Sequence, residues 1–224
     1  MKKRQGMTLL ELLIVIFIIA IVAGLLIPAL ARKREEERRI RCRNNLNQLA
    51  KAMDSMYLDR HSDNRFYPCP LGRGRVPGTY NGAEWLASLY WTGYVPDPGV
   101  FLCPSTTDSN ADGKDLGCKR ANDCGGTFGS QTVSYAGLWW KSVDTQNGGA
   151  IRDDWGQRDE PMACDDTQGG INHGQADNGG MSVLFFDSHV EFIVTPNVDV
   201  SSTTGSVGKG FPNPPATLLW RLRN

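Results

Sequence analysis

The residues from Asp108 to Asp115 have the types and spacing of a cation-binding loop. Asp108, Asn110 and Asp112 alternate along the chain, and a glycine and Asp115 follow them. Alternating oxygen side chains followed by a glycine let a tight loop wrap a hard cation, as in the first half of an EF-hand loop. Lys119 stands where that motif has a bidentate glutamate. The pattern therefore predicts a partial calcium site that needs a further carboxylate, and a plain polar turn is the alternative.

The chain has six cysteines, five of which lie after residue 66. Disulfides commonly stabilise loop-rich domains outside the cytoplasm, and we expect disulfides in this chain. Cys118 and Cys124 enclose a short loop and are the expected local pair. A second bond could be drawn from Cys69, Cys103 and Cys164.

Cys42 lies on the apolar face of a predicted helix, where either a buried free thiol or a disulfide fits. A zinc site is the alternative use of the cysteines. The chain has no Cys-x-x-Cys pair and only three histidines, so the spacing favours disulfides over zinc.

His173, Asp187 and His189, with the pair Asp165 and Asp166, supply acid and base groups. The sequence lacks a nucleophile elbow and the helix motif of zinc proteases. We therefore expect that the protein is not an enzyme.

Charge is distributed unevenly along a chain of 224 residues with no net formal charge. Residues 1–31 sum to +2, residues 32–65 to +4 and residues 66–224 to −6. Trp139 and Trp140 could stack on bases, but the acidic carboxy-terminal part would repel phosphate. Nucleic-acid binding is therefore not expected.

One apolar block, Leu12 to Ala31, has twenty consecutive residues without a charge. A helix of that length covers roughly the 30 Å of a bilayer core. Lys2, Lys3 and Arg4 precede it, and positive flanks favour the cytoplasmic side. The sequence predicts a single membrane span with the rest of the chain outside the cytoplasm.

Glu11 is a carboxylate at the start of this apolar block. A charge in lipid costs at least a few kcal/mol, so such a residue usually has a designated partner. If the chain were cut after Gly6, the new amine on Met7 would lie within reach of a neighbouring subunit's Glu11. The position of Glu11 therefore favours a segment that is cleaved after Gly6.

The run Lys2-Lys3-Arg4-Gln5-Gly6, followed by Met7-Thr8-Leu9-Leu10-Glu11 and an apolar helix, resembles the leader of type IV pilins and type II secretion pseudopilins. The resemblance implies that a prepilin peptidase cuts after Gly6 and methylates Met7. It implies an assembly role for Glu11, and Pro28 falls where many pilins have a proline. Met7 replaces the usual phenylalanine.

Two other interpretations fit the same segment. A signal peptide would also begin with basic residues, and Ala29-Leu30-Ala31 has the small-x-small pattern of a cleavage site. The apolar run exceeds the usual signal-peptide length, and a glutamate inside it would serve no purpose. A simple anchor helix would also fit, but it offers Glu11 no partner.

The helix is expected to continue beyond the apolar block as an amphipathic segment over residues 32–65. Apolar residues recur there at helical spacing: Cys42, Leu46, Leu49, Ala50, Met53, Met56 and Tyr57. Residues 66–224 hold 23 of the 25 glycines and 11 of the 12 prolines, which favours loops and short strands. The strongest elements there are a helix and three strands: Ala83–Trp91, Thr132–Leu138, Ser182–Phe186 and His189–Thr195.

These elements predict an α+β, pilin-like fold in which a long helix packs on a small antiparallel sheet. We divide the chain into a leader, a membrane or filament-core helix, its amphipathic continuation and a loop-rich head: residues 1–6, 7–31, 32–65 and 66–224. His173 through Val190 also resembles the carboxy-terminal signature of a pilin-like family in which a histidine precedes an Asp-Gly turn. The spacing here is longer, and Ser188 replaces the glycine.

The resemblance implies a structural subunit of a filament, either a pilin or a pseudopilin, anchored by one span in the cytoplasmic membrane. The partners it implies are other pilins, the prepilin peptidase and an assembly platform. Family members often have calcium-stabilised head loops, which favours calcium at the Asp108 loop. The alternative is a membrane-anchored or secreted binding domain that does not polymerise.

Overall fold

The structure is a computed structural model. It describes residues 7–60, 66–67, 82–118, 126, 128–129, 131–138, 151–152, 161–165, 173–174, 179–194 and 222–223. The chain divides into two compact units, Met1–Glu37 and Arg38–Asn224, which are considered separately below. One helix, α1 (Leu9–Arg60), contributes residues to both units.

In the first unit, the apolar side chains of α1 are exposed around the helix. Ile19 is 60% exposed and Leu25 is 72% exposed, and their apolar neighbours are similar. Within the described part of the chain, α1 is the one helix long and apolar enough to cross a membrane. Such a surface is stable only when lipid or other helices cover it.

In the second unit, the amphipathic part of α1 supplies one face of the head's core. Cys42, Leu46 and Leu49 are completely buried, and Ala50 and Met53 are 1% exposed. The predicted apolar stripe is confirmed at these five positions. Met56 and Tyr57 lie outside the side chains that the structure describes.

A second helix, α2 (Gly82–Trp91), packs its buried residues, including Trp85, into the same core. It confirms the helix predicted over Ala83–Trp91. A 3₁₀ turn (Pro98–Phe101) follows, and Asp97 caps it by accepting a bond from the Gly99 N–H at 2.9 Å. Both elements hold the loop that leads to Cys103 against the core.

The main sheet is antiparallel, and its strands, in chain order, are β2 (Tyr135–Leu138), β4 (Pro161–Asp165), β5 (Gly180–Phe185), β6 (Val190–Val194) and β7 (Leu222–Arg223). Across the sheet, the strand order is β6-β5-β4-β2-β7. A separate two-stranded ladder pairs β1 (Phe66–Tyr67) with β3 (Ile151–Arg152). The three predicted strands are confirmed with different bounds: β2 and β6 are shorter than predicted, and β5 begins two residues earlier and ends one residue earlier. The α+β class is also confirmed. The sequence did not predict β4, which carries one of the site residues described below.

The hairpin predicted around Asp187-Ser188 joins β5 to β6, with Leu184 opposite Val190. Ser188 has φ +67°, a left-handed conformation that favours glycine. Its hydroxyl donates a hydrogen bond to Asp54 Oδ2 on α1 at 2.7 Å. Serine therefore gives the turn a contact to the long helix that the glycine of the resembled signature could not make.

We expect Ser188→Ala to destabilise the head by about 1 kcal/mol, because it removes this bond and keeps the strained backbone. Ser188→Gly loses the same bond but relieves the backbone, so it should be about 1 kcal/mol more stable than the alanine variant. Urea unfolding of both variants measures the difference. Equal midpoints would contradict the role given to the backbone conformation.

Candidate functional site

The described residues bring two thiols, a carboxyl group and an imidazole together at one buried point. They belong to Cys42, Cys103, Asp165 and His173, and one ligand atom from each lies within 4.8 Å of all the others. Cys103 is 2% exposed, and the other three are completely buried. Among the described residues this is the one group of three or more such side chains that converges.

Four separate parts of the second unit position these side chains. Cys42 lies on the buried stripe of α1, and Cys103 follows the 3₁₀ turn. Asp165 ends β4, and His173 bridges to Gly180 at the start of β5, where its carbonyl accepts the Gly180 N–H at 2.9 Å. The cluster therefore connects the helix, a loop and the sheet.

The contacts within the cluster are short and involve all four residues. The Cys42 thiol donates to Asp165 Oδ1 at 2.5 Å, and Cys103 Sγ lies 3.5 Å from His173 Nε2. His173 Nε2 lies 3.4 Å from Asp165 Oδ2. The thiols, the carboxylate and Nε2 of the imidazole therefore face the same small volume.

Neighbouring groups hold two of the four side chains in this orientation. Ser105 Oγ lies 3.0 Å from His173 Nδ1, which leaves Nε2 turned toward the cluster. The backbone N–H of Ser182 donates to Asp165 Oδ2 at 2.7 Å. The ring of Phe192 meets the His173 ring edge-on, with 6.2 Å between centroids.

Burial dominates the protonation of most of these groups. It raises the pKa of Asp165, although the nearby His173 opposes the effect. Burial, followed by the hydrogen bond with Cys103, raises the pKa of Cys42 well above its usual range. The hydrogen-bonding interaction with Cys42 outweighs desolvation at Cys103 and lowers the pKa of that thiol to about 7. Cys103 is thus the thiol that ionises more readily.

The sequence alone suggests different roles for these four residues. Asp165 and His173 are candidate acid and base groups, and Cys103 is one of three candidates for a second disulfide. Cys42, Cys103 and Cys164 are not disulfide-bonded, so no second bond links Cys103 or Cys164 to Cys69 or to each other. The buried free thiol considered for Cys42 is confirmed. No local spacing motif could have identified the cluster, because its members come from four distant segments.

The other acid and base groups lie elsewhere. Asp187 and His189 occupy the exposed β5–β6 turn, where their side chains are joined by a hydrogen bond and the His189 ring stacks on Phe185. The hydrogen bond from His189 lowers the pKa of Asp187. Asp166 lies outside the described residues. Among the residues proposed for acid–base chemistry, the structure joins only Asp165 to His173 and Asp187 to His189.

The predicted calcium loop folds into a 3₁₀ turn (Ala111–Gly113) and a short helix α3 (Lys114–Cys118). Asn110 is buried, and its amide donates to the Pro98 carbonyl at 2.7 Å. The Asp108, Asp112 and Asp115 carboxylates do not form a converging group among the described residues. Calcium binding at this loop stays a prediction.

Cys118 is assigned to a disulfide whose partner lies outside the described residues. Cys124 lies in that part of the chain, so its pairing with Cys118 stays a prediction. The loop therefore has its own covalent tie, separate from the buried thiols of the cluster.

At the amino-terminal end of α1, Glu11 has a local partner. Glu11 Oε2 accepts hydrogen bonds from the Thr8 N–H at 2.8 Å and the Thr8 hydroxyl at 3.0 Å. The Glu11 N–H donates to Thr8 Oγ1 at 3.3 Å, which completes a capping box. Thr8 therefore gives Glu11 hydrogen-bond partners within its own helix, which the sequence pattern did not predict. Gly6 lies outside the described residues, and Pro28 lies inside α1.

Comparison with known protein families identifies the amino-terminal segment. Residues 1–27 match the prokaryotic N-terminal methylation motif. No curated protein and no solved structure matches the chain. The match includes Gly6, Met7 and Glu11, the residues on which the resemblance to prepilin leaders depends. The chain therefore carries the prepilin-type signature, followed by an apolar helix that continues into an α+β head.

Proposed function

We propose that the protein is a structural subunit, a pilin or pseudopilin, of a type IV pilus-like or type II secretion filament. The observation that carries this proposal is the apolar surface of α1 directly after the prepilin-type signature. Its side chains are exposed in the isolated chain, with Leu9 81% and Leu25 72% accessible. Neighbouring helices of identical subunits would cover this surface as lipid does before assembly.

The proposed sequence of events begins with insertion of the chain into the cytoplasmic membrane. Lys2, Lys3 and Arg4 would stay inside and the acidic head would face outward. A prepilin peptidase would cut after Gly6 and methylate the Met7 amine. An assembly platform would then move α1 from lipid into the filament core, where Glu11 would neutralise the amine of an adjacent subunit.

The mass and amino-terminal fragmentation of the chain purified from its native membrane test this proposal. We expect a chain that begins at methylated Met7. A chain that begins at Arg32 would identify a signal peptide, and an uncut chain with Met1 would identify a simple anchor. Either of these two results would refute the proposal.

A matched pair of glycine variants separates peptidase recognition from general effects on the segment. Gly6→Val should prevent cleavage and leave the full-length chain in the membrane, because the resemblance places the cut directly after this residue. Gly24→Val is the control, since a side chain at Gly24 meets no atom within 4 Å. Immunoblotting measures the ratio of cut to uncut chain. Equal processing of the two variants would contradict the assigned cleavage site.

The capping box favours a second candidate, a membrane-anchored binding domain that does not polymerise. With Thr8 as its partner, Glu11 has a role in a lone helix. Shearing the cell surface distinguishes the two candidates. Filaments that contain this chain support the structural subunit, and a monomer retained in the membrane supports the anchored domain.

A further inference from the structure

The head contains four converging side chains of types that can bind a metal ion, and the proposed filament role assigns them no function. We propose that Cys42, Cys103, Asp165 and His173 form a structural zinc centre in the head. This inference is independent of the proposed filament role, because all four residues belong to the second unit. It restores the zinc alternative that the sequence spacing disfavoured.

The identity of the donors points to zinc. Two cysteine sulfurs, one imidazole nitrogen and one carboxylate oxygen match the ligands of tetrahedral zinc sites. Calcium and magnesium prefer sites made only of oxygen donors, so thiols exclude them here. Zn²⁺ would replace the thiol protons of Cys42 and Cys103, which would pass to solvent, and it would bind the Asp165 carboxylate and the neutral His173 imidazole.

The distances between donors also fit a tetrahedron. With Zn–S bonds of about 2.3 Å and Zn–N and Zn–O bonds of about 2.0–2.2 Å, sulfur and nitrogen ligands lie about 3.5 Å apart, and nitrogen and oxygen ligands about 3.4 Å apart. Cys103 Sγ and His173 Nε2 are separated by 3.5 Å, and His173 Nε2 and Asp165 Oδ2 by 3.4 Å. Cys42 Sγ and Asp165 Oδ1 are 2.5 Å apart, whereas sulfur and oxygen ligands of a tetrahedral zinc ion lie about 3.5 Å apart. Metal binding would lengthen that contact.

The surroundings have the outer hydrogen bonds that zinc ligands usually make. The ligating histidine of such sites fixes its second ring nitrogen with a hydrogen bond, and Ser105 makes this bond to Nδ1 of His173. A ligating carboxylate is also held in place, and the Ser182 N–H holds Asp165. The same contacts would orient the side chains before the ion arrives.

Burial defines the role of the centre. Four protein ligands would fill the coordination positions of the ion, and each of the four residues is at most 2% exposed. Because no coordination position is open to a substrate, the centre is structural rather than catalytic. It would fasten α1 to the Cys103 loop, the end of β4 and the start of β5. The ion would thereby cross-link distant segments of the head, as disulfides do in small extracytoplasmic domains.

Two other states of the cluster are chemically reasonable and define the test. Cys42 and Cys103 could join as a disulfide, which would leave Asp165 and His173 buried without thiol partners. Alternatively, the four groups could remain a hydrogen-bonded network without metal. Neither state contains a bound metal. In the disulfide state the two thiols are oxidised, whereas in the hydrogen-bonded network they remain reduced.

The experiment uses the full chain in detergent, purified with a tag that contains no histidine. Elemental analysis should find about one zinc per chain. Cys42→Ser and Cys103→Ser should each lower zinc content at least about tenfold. Cys164→Ser is the matched control, because Cys164 is an equally buried cysteine on β4, outside the cluster and outside any disulfide, and this variant should keep its zinc.

A milder variant keeps the proposal testable if the cysteine variants fail to fold. Ser105→Ala leaves all four ligands in place and removes the bond to Nδ1, so zinc affinity measured against a competing chelator should fall about 10- to 100-fold. Replacement of zinc by cobalt should give the visible absorption of a tetrahedral, thiolate-bound ion. This absorption should be absent from Cys103→Ser and present in Cys164→Ser.

Three results would overturn the proposal. The first is a native chain without stoichiometric metal, with both thiols open to alkylation after unfolding. The second is a Cys42–Cys103 disulfide found by peptide mapping under non-reducing conditions. The third is zinc content that stays equal in Cys42→Ser, Cys103→Ser and Cys164→Ser. A stoichiometric metal other than zinc would overturn the assignment of the ion.

Discussion

Glu11→Ala should abolish filaments while the chain is still cut after Gly6 and inserted in the membrane. In the proposed filament, the Glu11 carboxylate neutralises the amine of the adjacent subunit in an apolar core. Removing one partner of a buried ion pair costs about 3–5 kcal/mol, because the other charge is left unpaired. That cost lowers the association constant by more than about a hundredfold, which is enough to prevent growth.

The capping box requires a sharper comparison than a single alanine variant. Thr8→Ala removes the capping hydroxyl but keeps the Glu11 charge. Glu11→Gln removes the charge but keeps a side chain that can still accept from the Thr8 N–H. If the charge sets assembly, Glu11→Gln should fail like Glu11→Ala, and Thr8→Ala should assemble.

Electron microscopy of sheared filaments and immunoblotting of the membrane fraction measure assembly and processing separately. Normal filaments from Glu11→Gln together with none from Thr8→Ala would show that helix capping is the role of this carboxylate. Normal filaments from Glu11→Ala would remove the residue from assembly altogether. In each case, the mass of the membrane-bound chain shows whether Gly6 was still the cleavage site.

Much of the fold could be predicted because its signals are local. Twenty uncharged residues specify the apolar part of α1, and the three- and four-residue spacing from Cys42 to Met53 specifies its buried stripe. The short helix α2 and the β5–β6 hairpin have equally local patterns. Each of these elements buries one face at its own helical or strand period, so a single segment carries the whole signal.

Strand β4 and the buried cluster could not be predicted, because neither has a signal within a single segment of the sequence. Pro161–Asp165 is buried at every position and begins with proline, so it lacks the alternation that marks a half-buried strand. The four cluster residues come together only after α1, the Cys103 loop and two neighbouring strands have packed. Cysteine spacing identifies zinc sites when ligands are neighbours in sequence, and here they are neighbours only in space.

The amphipathic part of α1 should contribute strongly to the stability of the head, because its buried stripe is part of the head's core. Leu46 is completely buried in the core, whereas Ile40, less than two turns earlier on the same helix, is 53% exposed. Leu46→Ala should lower the free energy of unfolding by about 2–5 kcal/mol, since it leaves a cavity that the surrounding core cannot fill. Ile40→Ala is the matched control and should change it by no more than about 0.5 kcal/mol.

Tryptophan fluorescence during urea unfolding of the full chain in detergent measures both variants, because Trp85 is completely buried in the same core. A loss of 2–5 kcal/mol is a large part of the roughly 5–15 kcal/mol that stabilises a typical domain. Equal midpoints for the two variants would mean that the amphipathic half of α1 is not part of the head's core. A large loss only in Leu46→Ala would establish that the buried stripe of α1 in the second unit folds together with the core of the head.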